Sequence, residues 1–292
     1  MKYAFIATHK ERHGVALLCR ILGVSHQGYY KWCSGAQQRQ ERTLRDERLL
    51  KMIRAIHQVS KGRYGSPRIH QKLKEMGVVC SEKRVAQLMK DNDIRAKGAR
   101  KFKATTNSKH SLPVAPNLLE RDFVADKPNE KWVSDITYLW TDEGWMYLAV
   151  FIDLFSRKVV GWALSNHMRA SLVILAFERA MARRRPPSGL LVHSDRGAQY
   201  ESQQFRQALH SAGAKQSMSD VGDCYDNAVA ESFFHSMKVE AIHGERFEFR
   251  RTLEIEVFDY IERFYNKVRR HSTIGKRSPD KFEDEMRIKL AA

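Results

Sequence analysis

Lys131-Trp132-Val133-Ser134-Asp135-Ile136-Thr137-Tyr138-Leu139-Trp140 is a run of aromatic and β-branched residues with one carboxylate in its middle. Such residues favour extended backbone, so the run predicts a β-strand. The carboxylate is the anomaly, because a charge placed mid-strand is costly when buried without a partner. Working outward, Thr141-Asp142-Glu143-Gly144 predicts a turn, Trp145–Ile152 a second strand and Lys158–Leu164 a third, an antiparallel meander. Arg169–Arg184 then carries Leu172, Leu175, Ala176, Arg179 and Ala180 at helical spacing and stops before Pro186-Pro187. Gly189–His193 predicts a short apolar strand, Glu201–Ala212 a helix ended by Gly213, Ala214–Met218 a fifth strand, and Asp226 to about Ile242 a helix. Three antiparallel strands followed by alternating helix and strand match the ribonuclease-H-like order. The expected fold is therefore an α/β core with a mixed five-stranded sheet, preceded by an all-α region.

That all-α region is read from its punctuation. Residues 14–22 show helical apolar spacing; Gly23-Val24-Ser25 supplies a helix stop and an N-cap, and a second helix runs from His26 to about Trp32. The pattern recurs at 66–76, with Pro67 at a first helical position, Gly77 as the stop and Ser81 capping a helix over about 82–92. Helix, short turn with Gly, helix is the signature of a helix-turn-helix. A charged helical stretch, about 37–59, lies between the two. The expected division is 1–59, a first helix-turn-helix and charged helix; 60–94, a second; 95–118, a basic linker; and 119–292, the α/β core with a helical extension.

Charge separates these parts. Of 292 residues, 51 are Lys or Arg and 34 are Asp or Glu, a formal net of +17. Residues 1–110 hold 25 basic and 8 acidic residues and so carry the whole excess; residues 111–292 hold 26 of each. A segment this basic points to a polyanion, double-stranded DNA foremost. Lys83, Arg84 and Lys90, on or beside the second recognition helix, are placed for major-groove docking, and the basic linker can track phosphates. An acidic membrane is the weaker partner, since the basic part has no long amphipathic helix with bulky aromatics, and no apolar run approaches about 18 residues. The four cysteines form no C-x-x-C pair, which argues against a zinc ribbon or disulfide scaffold and fits a reducing cytoplasm. His9 and His13 have no cysteine pair to complete a zinc module.

Three acids fall where chemistry can use them: Asp135 mid-strand, Asp195 at the C-terminal mouth of a buried-looking strand, and Glu231 one turn into a helix. They are separated by 59 and 35 residues. Asn227, Glu231, His235 and Lys238 follow at intervals of four, four and three, a polar stripe along one helix. Asp153 reads as a folded-in turn residue, Asp223 as a turn residue, Glu240 as a surface residue, and Asp226 as an N-cap for the helix bearing Glu231. Gly197 permits a tight turn or close approach of a DNA backbone, and His193 and Ser194 shape the adjoining loop.

Here a resemblance emerges. Trp132-Val133-Ser134-Asp135-Ile136-Thr137-Tyr138, His193-Ser194-Asp195-Arg196-Gly197-Ala198-Gln199-Tyr200 and Asp223-Cys224-Tyr225-Asp226-Asn227-Ala228 leading to Glu231-Ser232-Phe233-Phe234 resemble the three acid motifs of bacterial insertion-sequence transposases. Tyr265-Asn266 with Arg269-Arg270-His271-Ser272 and Ser278-Pro279 resembles their C-terminal motif, and Tyr64-Gly65-Ser66-Pro67-Arg68-Ile69 the start of their second helix-turn-helix. The chain is identified by this resemblance as a second-reading-frame transposase of the insertion-sequence-three family, related in fold to retroviral integrases. The resemblance implies a two-metal phosphoryl transferase using Mg²⁺, with Mn²⁺ as substitute, held by Asp135, Asp195 and Glu231. It implies cleavage and joining of DNA at the element's terminal repeats and in target DNA, with Lys238 contacting DNA and Arg68 in the recognition region. It also implies a homo-oligomer on DNA, partnership or fusion with the product of a preceding reading frame, and a place in the bacterial cytoplasm at the nucleoid. Two other readings stay open: a catalytically inactive DNA-binding regulator on the same fold, and a nuclease without strand transfer.

Overall fold

The computed structural model describes residues 1–98, 115–220 and 224–291; the side chains of residues 224, 225, 290 and 291 are outside it. The chain forms two compact units, Met1–Lys97 and Gly98–Ala292. Residues 99–114, most of the expected basic linker, lie outside the described residues, as does Asp223.

The first unit is helical: α1 (Lys2–His13), α2 (Val15–Leu22), α3 (His26–Ser34), α4 (Ala36–Val59), α5 (Ser66–Glu75) and α6 (Glu82–Asp91). The expected turn chemistry is present. Gly23 ends α2 in the left-handed conformation at φ 63°, and Ser25 Oγ accepts the Gly28 N–H at 3.0 Å to cap α3. Ser81 Oγ likewise accepts the Arg84 N–H at 3.2 Å to cap α6. Ile6, Leu18, Cys19 and Tyr29 form a small core between α1, α2 and α3. Helices α4, α5 and α6 pack pairwise and bury Leu49, Ile53, Ile69, Leu73, Val85, Leu88 and Met89. Helix α1 was not expected; its apolar positions are few, and Ile6 is the one fully buried residue on it.

The second unit is built on a sheet of order β3-β2-β1-β4-β5. Strand β1 (Lys131–Thr141) pairs antiparallel with β2 (Gly144–Asp153), which pairs antiparallel with β3 (Val159–Ser165). On the other side of β1, β4 (Leu191–Ser194) is parallel to it, and β5 (Lys215–Met218) is parallel to β4. The α/β class and the mixed five-stranded sheet are thus as expected. Trp132, Phe151, Val192 and Met218 of the sheet pack with Phe177 of α7 (Ala170–Arg184), Tyr200 of α8 (Ala198–Glu201) and Phe205 of α9 (Gln203–Ser211). Gly161 lets α7 approach β3: a Cβ there would sit 2.4 Å from the Ala176 carbonyl oxygen and 2.5 Å from Ala180 Cβ. Val133, Leu139, Leu148, Val150 and Ile152 are also buried, so the central strands are covered on both faces.

The long helix expected over 226–242 is instead three segments: a 3-10 turn (Cys224–Asn227), α10 (Ala228–Met237) and a π-helical turn (Lys238–Ile242). Beyond them lie α11 (Arg250–Phe258), a π-helical segment (Asp259–Tyr265) and α12 (Pro279–Ala291). Asn266 from the C-terminal motif fastens this extension to β3: its Oδ1 accepts from Val159 N and its Nδ2 donates to Val159 O, both at 3.0 Å. Among the described residues, no helix is long and apolar enough to cross a membrane.

Candidate active site

Strand register does the first part of the assembly. In the parallel pair β1–β4, Ser134 is the partner of Ser194. Asp135 and Asp195 are the next residues along the two segments, so the register carries them out side by side where β4 ends. The edge of a parallel sheet at its strand C-termini is where α/β folds bind ligands.

Helix α10 brings the third acid. It packs against β1, and its N-cap residue Asn227, buried, donates from Nδ2 to the Ser134 carbonyl oxygen at 3.1 Å. The helix that holds Glu231 is therefore fastened to the residue preceding Asp135. Glu231 lies one turn further along and is exposed.

The electrostatics record the convergence. The half-buried Asp135 carboxyl is held well above the usual carboxylate range, first by burial and then by the charge of Asp195; the Ile136 N–H (2.7 Å to Oδ1) pulls it down, Glu231 pushes it up, and Lys238 pulls it down. Glu231 is raised by partial burial and by Asp195. The buried Tyr200 hydroxyl, 2.8 Å from Ser134 Oγ, is raised by burial and by the charges of Asp135 and Asp195. Asp195 accepts the Gly197 N–H at 3.2 Å, and a Cβ on Gly197 would lie 3.1 Å from the same carboxylate oxygen. Gly197 thus serves a tight loop folded back on Asp195.

Lys238 opens the π-helical turn and is buried. Burial lowers its pKa, while Asp135 raises it. Its Nζ also lies 5.1 Å from the centre of the Tyr138 ring. Burial varies along the expected polar stripe: Asn227 and Lys238 are buried and Glu231 and His235 exposed, while Glu231 and Lys238 both act on Asp135.

Two like charges beside one partly buried carboxyl leave the cluster short of positive charge, which Lys238 and the Ile136 and Gly197 N–H groups offset only in part. Hard divalent cations bind such oxygen donors and cancel such repulsion. Asp135, Asp195 and Glu231 fit that role by donor type and by shared field, although among the described residues no three acids, histidines or cysteines are closed to ligating distance.

The neighbouring residues correct several expectations. Asp226 does not cap α10; it is buried and accepts from Asn117 Nδ2 (2.9 Å), Arg121 Nε (3.1 Å) and the Asp220 N–H (3.1 Å). Glu240 is not at the surface: it is buried, with Arg269 Nε (2.9 Å) and Tyr260 OH (2.9 Å) donating to Oε2. Asp153, by contrast, is the folded-in turn residue expected: it is fully buried, accepts the Phe155 N–H at 3.0 Å and lies 3.1 Å from Arg184. His193 is buried between Ser217 Oγ (2.8 Å) and Ser219 Oγ (3.2 Å), and burial pushes it down to about 4, so the ring is neutral at pH 7. Arg269 also donates to Ser236 Oγ on α10 at 2.8 Å, a tie that sequence spacing does not reveal.

In the first unit Lys83 and Lys90 are exposed on α6. Arg84 is turned inward, paired through Nε (2.9 Å) and Nη2 with the Asp46 carboxylate of α4. Arg68 is half-buried, 5.7 Å above the Tyr64 ring.

Family models described as "Integrase core domain" match residues 125–224 and 231–286, and one described as "HTH-like domain" matches residues 44–102. The chain is 45% identical over 285 residues to "Transposase InsF for insertion sequence IS3A" of Escherichia coli (strain K12), covering 98% of this chain and 99% of that one. It is 42% identical over 268 residues to "Insertion element IS600 uncharacterized 31 kDa protein" of Shigella sonnei, covering 92% and 98%. Among solved structures, the HTLV-2 integrase catalytic core domain in complex with magnesium aligns at TM-score 0.38 and 16% identity over 53% of this chain and 97% of that one.

Proposed function

The chain belongs to the insertion-sequence-three (IS3) family of transposases, and on that premise we propose that Asp135, Asp195 and Glu231 form the catalytic centre for cutting and joining DNA. The observation that supports this reading is the assembly itself: β1–β4 register sets Asp135 beside Asp195, and Asn227 fastens the Glu231 helix to Ser134.

The reaction breaks and forms phosphodiester bonds. Attack of a water oxygen on a phosphorus expels a 3′ oxygen, which leaves as a free 3′-OH; that hydroxyl then attacks a second phosphorus and expels a new leaving oxygen. Negative charge gathers on the phosphoryl oxygens, the attacking oxygen must lose a proton and the leaving oxygen gain one. A divalent cation, Mg²⁺ or Mn²⁺ in its place, supplies charge neutralisation and makes the attacking oxygen more acidic when bound. Asp135, Asp195 and Glu231 would hold it. The Lys238 ammonium, kept near Asp135 by burial and charge, binds a phosphate of the engaged strand. Ser134 and Tyr200 brace β1 behind the acid, and Asn227 sets the depth of Glu231. In the first unit the second helix-turn-helix binds duplex DNA at the element's ends through Lys83, Lys90 and Arg68, with Arg84 holding the fold through Asp46. Copies of the chain assemble on the paired ends, with the product of a preceding reading frame as partner or fusion.

The test uses the DNA termini of the element that encodes this chain. Asp135→Asn, Asp195→Asn and Glu231→Gln should each abolish Mg²⁺-dependent cleavage and joining while the affinity for end DNA persists. Joining by Glu231→Gln near the wild-type rate would overturn the assignment. Cleavage without joining by the unaltered protein would favour a simple nuclease, and end binding without either reaction an inactive regulator.

A further inference from the structure

Three large aromatic side chains lie in the open near the acid cluster. Tyr138 and Trp140 on β1 are 41% and 54% exposed, and Trp145 on β2 is 45% exposed. Trp140 and Trp145 are register partners. The rings are arranged edge to face: Trp140–Trp145 centres are 4.9 Å apart at 75°, and Tyr138–Trp145 centres 5.3 Å apart at 88°. Further down the same side of the strands, Ile136 and Tyr147 join the core under the helices. The sheet thus runs past its helical cover and presents faces of rings.

The patch is joined to the acids by one side chain. Lys238 Nζ stands 5.1 Å from the Tyr138 ring centre and is also attracted to Asp135. Alternation puts Asp135 and Tyr138 on opposite faces of β1. Strand β4 stops opposite Ser134, so from Asp135 onward β1 has β2 as its only strand neighbour among the described residues. A path from the acids to the rings therefore runs around that edge of β1, past Lys238. At about 3.3 Å per strand residue, Tyr138 and Trp140 lie about 10 and 17 Å from Asp135. That is about three to five base steps at the stacked rise of about 3.4 Å, and fewer where the opened strand is extended. The turn joining β1 to β2 carries both signs: Arg246 Nε pairs with Asp142 at 2.8 Å, and Arg250 Nη2 donates to the Glu143 carbonyl oxygen at 2.8 Å.

From this continuity we infer that Tyr138, Trp140 and Trp145 are a stacking site for an unpaired nucleobase of the DNA strand whose phosphate sits at the acids. The inference rests on the DNA-joining reading and adds where the displaced base goes. Duplex ends must open for a single strand to follow a protein edge, and an unstacked base loses its π neighbours. Aromatic rings restore them whatever the base identity, and Lys238 holds the intervening phosphate. A Trp pair with its own edge-to-face order is preorganised for this, since little side-chain freedom is lost on binding.

The test has two parts, both with the full chain and duplexes of the element's ends. In the first, 5-iodouracil is placed singly at each of the first six positions from the cleavage site, and the unaltered protein is irradiated; cross-links should concentrate at positions two to five and map to Tyr138, Trp140 or Trp145. In the second, Trp140→Ala and Trp145→Ala should lower joining on fully paired ends by about tenfold or more, Trp140→Phe should retain most of it, and ends made with mismatches over the same positions should restore the Ala variants. Asp195→Asn should join neither kind of end. Ala variants that join like the unaltered protein, or cross-links that map elsewhere, overturn the stacking site while leaving the acids in place. Ala variants that sediment as a smaller species without DNA would make the patch an interface between copies and also overturn it. Joining by Asp195→Asn would strike at the catalytic reading instead. The cross-linking arm needs no variant, so it decides the matter even where a substitution impairs folding.

Discussion

The two units handle charge in opposite ways. In Met1–Lys97 the basic excess is carried outward: among its described residues Arg63 is the buried charged side chain, and the cores are small sets of aliphatic and aromatic residues. In the second unit charge is drawn inward. Asp153, Asp226, Lys238, Glu240 and Arg269 are all buried, most of them with partners of opposite sign. The difference teaches that net charge and structural charge are separate properties. A near-neutral region can depend on its ions for its fold, while a strongly basic one can keep most of its charge at the surface.

The largest test of that contrast is the buried pair beneath α10. Arg269 donates to both oxygens of Glu240 at 2.9 Å, and the two side chains are 9% and 7% exposed. Removing one partner leaves a buried charge uncompensated, which costs about 3–5 kcal/mol. Arg269→Ala should therefore lower the unfolding midpoint of the full chain far more than any single surface Lys→Ala. Tryptophan fluorescence is a suitable probe, since four of the five tryptophans lie in the second unit. A double change to apolar residues of similar volume should recover much of the loss. A loss for Arg269→Ala no greater than that of a surface lysine would break the comparison.

The second test is a pH dependence at Asp153. Burial pushes this carboxyl up to about 6, against the N–H groups of Asn129 (2.9 Å) and Phe155 (3.0 Å) and the charge of Arg184. Glu283 faces the same group, raising Asp153 while its own pKa is lowered by Arg184 and Lys158. An unfolded aspartate titrates near about 3.9, so between about pH 4 and 6 the folded chain keeps a proton that the unfolded chain has lost. Stability from this group is then present below pH 4 and declines as pH rises through about 6. About two pK units correspond to about 3 kcal/mol. Between pH 4 and 7 the difference in stability between Asp153→Asn and the unaltered protein should therefore shift in favour of the variant by up to about that amount. Urea midpoints at the two pH values check this; a difference that stays flat would show that Asp153 titrates normally.

Much of this was legible in the sequence, and the exceptions share a cause. The strands of the meander, the caps at Ser25 and Ser81, and the three acids could be read because each depends on local chemistry or on a recognisable motif. The fate of Glu240 and Asp226 depended on side chains 20 or more residues away, and a lone acid near a helix looks solvated until Arg269 or Arg121 is known to face it. Lys238 shows a subtler limit. Seven residues after Glu231 it falls on the same face of a regular α-helix, yet it is buried and felt by Asp135 where Glu231 is exposed, and a π-helical turn begins there. Nothing in a polar stripe announces a π turn.

The smallest effect separates two neighbouring basic residues of α6. Lys83 is exposed, while Arg84 spans to Asp46 with the two side chains 30% and 20% exposed. If the first unit keeps its surface charges for DNA, Lys83→Ala should change stability by less than about 0.5 kcal/mol. It should also lower the slope of log affinity against log salt by about 0.9, the counterion release of one phosphate contact. Arg84→Ala should do the reverse: a partly exposed ion pair is worth up to about 1 kcal/mol, so the helix loses stability while the salt slope barely moves. Gel-shift titrations on end DNA at several salt concentrations, paired with thermal melts, distinguish the two residues. A slope lowered by Arg84→Ala and untouched by Lys83→Ala would mean that Asp46 releases Arg84 when DNA binds, and the outward use of charge would then include side chains that the free protein holds in pairs.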